Sequence, residues 1–445
     1  MYRIGLEFLL KWGEKEGRRP LIIRGARQVG KSYLVREYAK TTSLDLLEIN
    51  LEREPDAVHL FRKDSIQKTL ELLSLQYRQK IEPQKTLLFL DEIQAAPDAI
   101  PLLRYFHEEK PSLRVIAAGS LLEFTLRDHS FSMPVGRVEY MHLGPMTFEE
   151  FLLAADEKDL RDFIVQYQLD ETIPVPIHRR LMDRVRTFSI VGGMPEAIKT
   201  FLSGSCESCE ASKQNILSTY QDDFSKYRDR IPQERLRKLF RGIPLLIGEK
   251  FKYVNVDPHE RSKDLSNGLD LLCMARVAHR ICHTSANGVP LGAEIDQKFF
   301  KVLFLDVGLV SSSCGLSLLS VEKESDLNLV NQGRLTEQLV GQHLLYDRPA
   351  YETPELYYWT REKKNAAAEI DYLTSLGSQV IPVEVKSGKT GRLRSLHLFL
   401  AEKERLLGVR FNSEPPSLLR DRQGSLLSLP LYMIGQWKRL VQKVL

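Results

Sequence analysis

The chain lacks any apolar run near the ~20 residues that a bilayer-crossing helix needs. No membrane span is expected. Cysteine is scarce: five residues, at 206, 209, 273, 282 and 314. An odd, scattered set is not a disulfide framework. Cys206-Glu207-Ser208-Cys209 has CxxC spacing, and Cys282-His283 could complete a zinc set on paper. A second CxxC is missing and Ser/Glu-rich sequence surrounds the first, so ordinary reduced thiols are expected. Charge of one sign is missing too: 63 Lys and Arg against 59 Asp and Glu leave a net +4. That excludes a globally basic nucleic-acid coat; any basic surface must be local. There is no internal repeat and no low-complexity tract. Residues Met1 to Trp12 read as an amphipathic helix with an internal Glu7, without the apolar core and cleavage site of a signal peptide. A cytoplasmic protein is expected.

What is present is 445 residues with 43% hydrophobic content, enough for about three domains. The most informative stretch is Gly25-Ala26-Arg27-Gln28-Val29-Gly30-Lys31-Ser32. It fits G-x-x-x-x-G-K-[ST], the phosphate-binding loop. Leu21-Ile22-Ile23 before it reads as a strand, and Lys31 to Tyr38, through Tyr33, as a helix. Strand, Gly-rich loop and helix together aim backbone N–H groups and the positive helix end at a pyrophosphate. Gly25 and Gly30 permit the angles that bring the chain close to the anion. Lys31 is placed for the β/γ-phosphates and the Ser32 hydroxyl for Mg²⁺. ATP and Mg²⁺ are therefore the expected cofactors.

Lys85-Thr86-Leu87-Leu88-Phe89-Leu90-Asp91-Glu92 reads as a buried central strand ending in two carboxylates. In P-loop ATPases the first holds Mg²⁺ and the second polarises the attacking water. Asp91 and Glu92 have those places. A third strand, Arg114 to Gly119, ends at Ser120, a candidate γ-phosphate sensor; Ser at a strand end is also common in plain turns.

Strands are predicted over 20–25, 44–51, 86–92, 114–119 and 138–143, with helical patterns between. That alternation implies a parallel sheet covered on both faces. Thr147, with Glu150 three residues on, predicts a helix start. Gly192-Gly193-Met194-Pro195 breaks the next helical stretch. Ser203 to Ser212 reads as a linker. Helices are expected near 214–229, 233–247 and 260–281, then a strand at Phe299 to Asp306 and a last α/β block over 326–445.

With the loop, Leu90-Asp91-Glu92-Ile93-Gln94, Gly119-Ser120, Gly136-Arg137, Leu143-Gly144-Pro145-Met146-Thr147-Phe148-Glu149-Glu150-Phe151 and Gly192 to Ala197 in order, the chain resembles a family. It is similar to prokaryotic AAA-type ATPases with a C-terminal domain of unknown function and a PD-(D/E)xK nuclease-like fold. The resemblance implies an α/β protein in four parts: a P-loop AAA core at 1–145, a helical lid at 146–205, a winged-helix-like module at 206–325 and a nuclease-like domain at 326–445. It places Pro195 against adenine. It also makes Arg137 an arginine finger that acts in trans, with Arg127 as competitor. A finger in trans needs a homo-oligomer, with a ring as its closed form.

In the last block, Glu369-Ile370-Asp371-Tyr372 and Val380-Ile381-Pro382-Val383-Glu384-Val385-Lys386 read as two strands of a hairpin. Alternation puts Glu384 and Lys386 on one face, with Asp371 alongside. Asp, then Glu-x-Lys, resembles the nuclease constellation, and Glu337 is the usual upstream acid. Two carboxylates could hold Mg²⁺ while the Lys activates water; a charged solvent face is the plain alternative. Tyr357-Tyr358-Trp359-Thr360-Arg361-Glu362-Lys363-Lys364 could stack bases and bind phosphates, or be a strand running into a charged turn. The expected function is a Mg²⁺-dependent ATPase acting on DNA. A nucleotide-controlled scaffold for a protein partner and an ATP-regulated nuclease are the alternatives.

Overall fold

The computed structural model describes the chain apart from residues 121, 123–135, 228–230, 318–328, 362–366, 389–392 and 422–423. Helix α1 (Gly5–Glu14) precedes β1 (Leu21–Arg24), α2 (Lys31–Thr41), β2 (Asp45–Asn50), α3 (Ile66–Tyr77), β3 (Thr86–Asp91), α4 (Leu103–Glu109), β4 (Arg114–Gly119) and β5 (Glu139–His142). These five strands form one parallel sheet in the order β2-β3-β4-β1-β5. Burial on both faces explains their nearly unbroken apolar runs. Leu21, Ile23, Leu87, Phe89, Ile116 and Ala118 point into one core; Ile22, Leu88, Leu90, Val115 and Ala117 point into another. The predicted strands and the α/β class hold, each strand within a residue or two of its expected ends.

Helices α5 (Phe148–Ala154), α6 (Lys158–Gln166), α7 (Val175–Val191), α8 (Pro195–Ser203) and α9 (Cys206–Asp223) follow. The capping box is present: Thr147 Oγ1 accepts from the Glu150 N–H, and Glu150 returns a bond to the Thr147 N–H. The stretch read as a linker, Ser203 to Ser212, is instead mostly the first half of α9. Ser205 caps it by accepting from the Ser208 N–H, and Cys209 and Ser212 are buried. Ser and Glu there serve a capped helix rather than a loose tether. The Cys209 thiol donates to the Ala197 carbonyl, and all five cysteines are free.

Helices α10 (Gln233–Gly242) and α11 (Ser262–Met274) lead into a hairpin of β6 (Ala278–Thr284) and β7 (Ile295–Phe304). The helix expected over 260–281 therefore stops at Met274. Arg276 takes a left-handed φ of 60°, which breaks the helix before β6 begins. Next come α12 (Val307–Ser313), α13 (Leu329–Tyr346), β8 (Tyr357–Arg361), β9 (Ala368–Leu376), β10 (Gln379–Val385), α14 (Arg394–Glu402), β11 (Leu407–Asn412), β12 (Ser417–Asp421), β13 (Gly424–Pro430) and α15 (Trp437–Gln442). One eight-stranded mixed sheet runs β12-β13-β11-β10-β9-β8-β6-β7. Its β6–β8 pairing, Cys282 to Tyr357 and His283 to Tyr358, joins the hairpin to the last block. The position of the expected division at 325/326 thus falls between strands of a single sheet. Among the described residues no helix is long and apolar enough to cross a membrane.

Candidate nucleotide site

The parallel register places the carboxyl ends of β1, β3 and β4 together, the edge where open α/β sheets bind ligands. The loop at 25–32 leaves β1 there. Gly30 has φ 92°, which a side chain would strain, and it hands the chain to α2. Asp91 ends β3 and Ser120 follows β4. Ser32 Oγ donates to Asp91 Oδ2 at 2.8 Å. The hydroxyl and carboxylate expected around a magnesium ion are thus already paired. Burial pushes the Asp91 carboxyl up, and the Ser32 bond opposes this. Glu92 follows with a left-handed φ of 51°, the kind of backbone strain that clusters at working sites. Its carboxylate accepts from Gln94 Nε2 at 2.5 Å and from Ser120 Oγ at 3.4 Å.

Lys31 is folded back on its own loop, donating to the Gly25 and Ala26 carbonyls at 3.1 and 2.8 Å. Burial lowers its pKa to about 8, while Glu92 and Asp91 pull the other way. A polyphosphate would favour the ammonium and raise that pKa. The charge contribution to ATP affinity is then fully present below about pH 8 and lost above it. ATP should bind roughly tenfold more weakly at pH 9 than at pH 7. Calorimetric titration at the two pH values checks this; equal affinities would contradict it.

Above Lys31 and Ser32 lies an open cavity of about 890 Å³. Arg27, Gln28, Tyr33, Glu92 and Pro195 line it, with the faces of α8 and α9 opposite. Pro195 begins α8 on that wall. The Tyr33 hydroxyl accepts from the Met1 amino group at 2.5 Å. Arg137 is not brought to the loop. It precedes β5, whose first residue pairs with Leu21 at the far end of β1, and it is ion-paired to Glu108 at 3.0 Å. Arg127 lies outside the described residues.

Sequence reasoning missed three supports of this site. Arg3 is buried, paired to Glu150 at 2.9 Å, and donates to the Val29 and Gly144 carbonyls. It ties the N-terminal segment to the loop. Arg27 reaches Asp223 at the end of α9. Asp306 holds the Gly193 turn that precedes Pro195.

The second expected constellation is also assembled, with an addition. Asp371 Oδ2 accepts from the Val385 N–H at 2.8 Å, so the hairpin places it beside Glu384. Lys386 Nζ lies 2.5 Å from Glu384. Into this cluster β7 inserts Lys301, 2.5 Å from Glu369 and 3.8 Å from both Glu337 and Asp371. Burial and the neighbouring Asp371 charge raise the carboxyls of Glu337 and Glu384. Among the described residues no three acidic, His or Cys side chains converge as they would around a metal ion. A lone lysine inside the apolar run Phe299 to Phe304 was the sequence signal for this partner. Tyr357, Tyr358 and Trp359 are buried, so their rings are not available to stack bases; Glu362, Lys363 and Lys364 lie outside the described residues.

Residues 17–152 match the family model of an AAA domain. The N-terminal block thus matches an AAA domain and has the parallel P-loop sheet that goes with it. Residues 182–320 and 332–425 match two domains of unknown function (DUF8612 and DUF4143). No curated protein matches the chain. Among solved structures, the Walker-type ATPase PABY2304 of Pyrococcus abyssi is 14% identical, covering 69% of this chain and 94% of that one, with a TM-score of 0.44. The Aeropyrum pernix ORC1 protein in complex with DNA is 13% identical over 70% of this chain and 90% of its own, with a TM-score of 0.27. The Pif1 helicase from Candida albicans is 13% identical over 41% and 47%, with a TM-score of 0.23. These are distant likenesses, and nothing about partners follows from them.

Proposed function

We propose that the AAA domain hydrolyses ATP with Mg²⁺ and that its nucleotide state governs a DNA-engaging C-terminal half, in a homo-oligomer. The observation that carries the ATPase reading is the Ser32–Asp91 pair at 2.8 Å, beside Lys31 and Glu92. Ser32 and Asp91 would hold Mg²⁺, which when bound neutralises phosphate charge. Loop N–H groups and Lys31 orient the phosphates. Glu92, steadied by Gln94 and Ser120, takes the proton of the attacking water. Pro195 would pack against the base. Arg137, at the opposite rim of the sheet, would reach a neighbour's nucleotide in a ring.

DNA contact is assigned to the middle hairpin and helix. Arg261, Ser262 and Lys263 are exposed at the start of α11, and Lys298 and Phe299 are exposed on β7. Lys301 speaks against cleavage in the last block. Its ammonium stands among the carboxylates that a nuclease would give to a metal ion.

Sedimentation of a labelled duplex with the full chain tests this, run with and without a non-hydrolysable ATP analogue. The expected result is an analogue-dependent oligomer that carries the duplex and releases it steeply between 50 and 200 mM salt, as counterion release requires. No cleavage is expected in Mg²⁺ or Mn²⁺. An unbound duplex at low salt with every nucleotide would turn the reading to a scaffold for a protein partner. Cleavage abolished by Asp371→Asn would make the cluster a live nuclease.

A further inference from the structure

The third residue of the phosphate-binding loop makes more contacts than an anion cradle needs. Arg27 Nη1 donates to both Asp223 oxygens, at 2.6 and 2.5 Å. Its Nε donates to Ser120 Oγ at 3.1 Å, and its Nη2 lies 3.7 Å from Glu52. Its carbonyl accepts from the Tyr220 hydroxyl at 2.6 Å. Asp223 is the last residue of α9, and Tyr220 lies one turn earlier on the same helix. A continuous polar chain therefore runs from α9 through Arg27 and Ser120 to the Glu92 carboxylate.

Two further observations give this chain a direction. Arg27 lines the cavity above Lys31 and Ser32 on one side. On the other it lines a small gap shared with Asp223, Phe224, Ala275 and Val277, where the middle block meets the loop. The guanidinium thus stands between the nucleotide cavity and the segment that joins α11 to β6. It is mostly buried, with 18% of its side chain exposed, as is Asp223 with 14%. Little water screens the pair.

We propose that Arg27 reads the nucleotide: in the resting loop Asp223 holds its guanidinium, and a triphosphate takes it away. The inference rests on ATP binding at this loop. A carboxylate offers a single negative charge, whereas a triphosphate offers several, on oxygens that match the same two-pronged donor. Arg27 belongs to the loop itself, so a side-chain rotation changes its partner. Loss of Arg27 from Asp223 loosens the end of α9 and its contact with the middle block. The same rotation draws Arg27 off Ser120, which then serves Glu92 alone. ADP, lacking the outer phosphate, competes less well. Arg27 acts here as a positioning residue that couples phosphate occupancy to the lid.

Affinities for ATP and ADP are measured by calorimetry on the full chain, with hydrogen exchange followed at residues 217–223. Asp223→Asn keeps the shape and removes the competitor. It is expected to tighten ATP about fivefold and ADP by less. Arg27→Ala is expected to bring the two affinities together, and Asp223→Asn in that background should yield no gain. In the wild type, a non-hydrolysable ATP analogue should raise exchange at the end of α9, and ADP should raise it less. This last arm needs no variant to fold. Unchanged ATP-to-ADP preference in folded Asp223→Asn, or an α9 end indifferent to the analogue, overturns the inference while leaving the ATPase reading intact. A wild-type chain that binds neither nucleotide removes both.

Discussion

A Glu92→Gln chain is expected to bind ATP as the wild type does and to turn it over roughly 10²–10⁴-fold more slowly, the range a positioned general base supplies. The substitution leaves the Ser32–Asp91 pair untouched, so the metal-binding groups and the loop stay as they are. It removes the basicity and the charge of the group that Gln94 and Ser120 hold in place. Lys31→Ala is the contrasting variant. It deletes the ammonium that bonds the Gly25 and Ala26 carbonyls and would reach the phosphates, and it should abolish tight binding. Phosphate release and fluorescent-nucleotide titration separate the two outcomes. Full turnover in a pure Glu92→Gln preparation would remove Glu92 from its role. Equal loss of binding in both variants would mean that Glu92 supports the loop instead of the chemistry.

The loop and the parallel sheet were legible because each follows a local rule. Apolar runs such as Leu87-Leu88-Phe89-Leu90 are what two-faced burial produces. The phosphate loop is one contiguous string. What stayed hidden is held by pairs distant in sequence. Arg27 meets Asp223 196 positions away, and Arg3 meets Glu150 147 positions away. No window of periodicity reports such partners. Composition also misled at α9, where Ser and Glu suggested a tether. In the stretch that read as a tether the buried side is carried by Cys209 and Ser212, neither a strong apolar signal; Ile216, Leu217 and Tyr220 bury the helix only further on. Likewise β6, Ala-His-Arg-Ile-Cys-His-Thr, alternates imperfectly, and it followed a real helix closely enough to be absorbed into it. The Asp371–Glu384–Lys386 hairpin could be read ahead because strand alternation fixes faces; Lys301 stood out only as a lone charge in an apolar run, and its partners stayed hidden because it arrives from another hairpin.

Asp306→Ala should be among the most destabilising single changes in the chain. Asp306 is fully buried. Its Oδ2 accepts from the Gly193 N–H at 2.7 Å, and its Oδ1 from the Gly308 and Leu309 N–H groups at 2.9 and 3.2 Å. It thereby caps α12 and pins the turn between α7 and α8. Gly192 there has φ 81°, and a Cβ on it would stand 2.1 Å from Asp306 Oδ1, so the turn and the carboxylate fit only together. Burial pushes the Asp306 carboxyl up, and the bonds from Gly193, Leu309 and Gly308 pull it back. Alanine strands these buried donors at roughly 1–3 kcal/mol each, a total of about 3–5 kcal/mol after relaxation. That is a large fraction of ordinary domain stability. Asp306→Asn keeps one acceptor oxygen and presents an amide to the other donors, so it should cost less. Because the pinned turn leads directly into Pro195 on the cavity wall, ATP affinity should fall in step with stability. Denaturant midpoints, ATP titrations and exchange of the Gly193, Gly308 and Leu309 amides give the readout. The order of loss should be Ala, then Asn, then wild type, with those amides the first to lose protection. Protected amides and an unchanged midpoint in Asp306→Ala would show that the turn is held by packing alone. A lowered midpoint with undiminished ATP affinity would separate the turn from the nucleotide site.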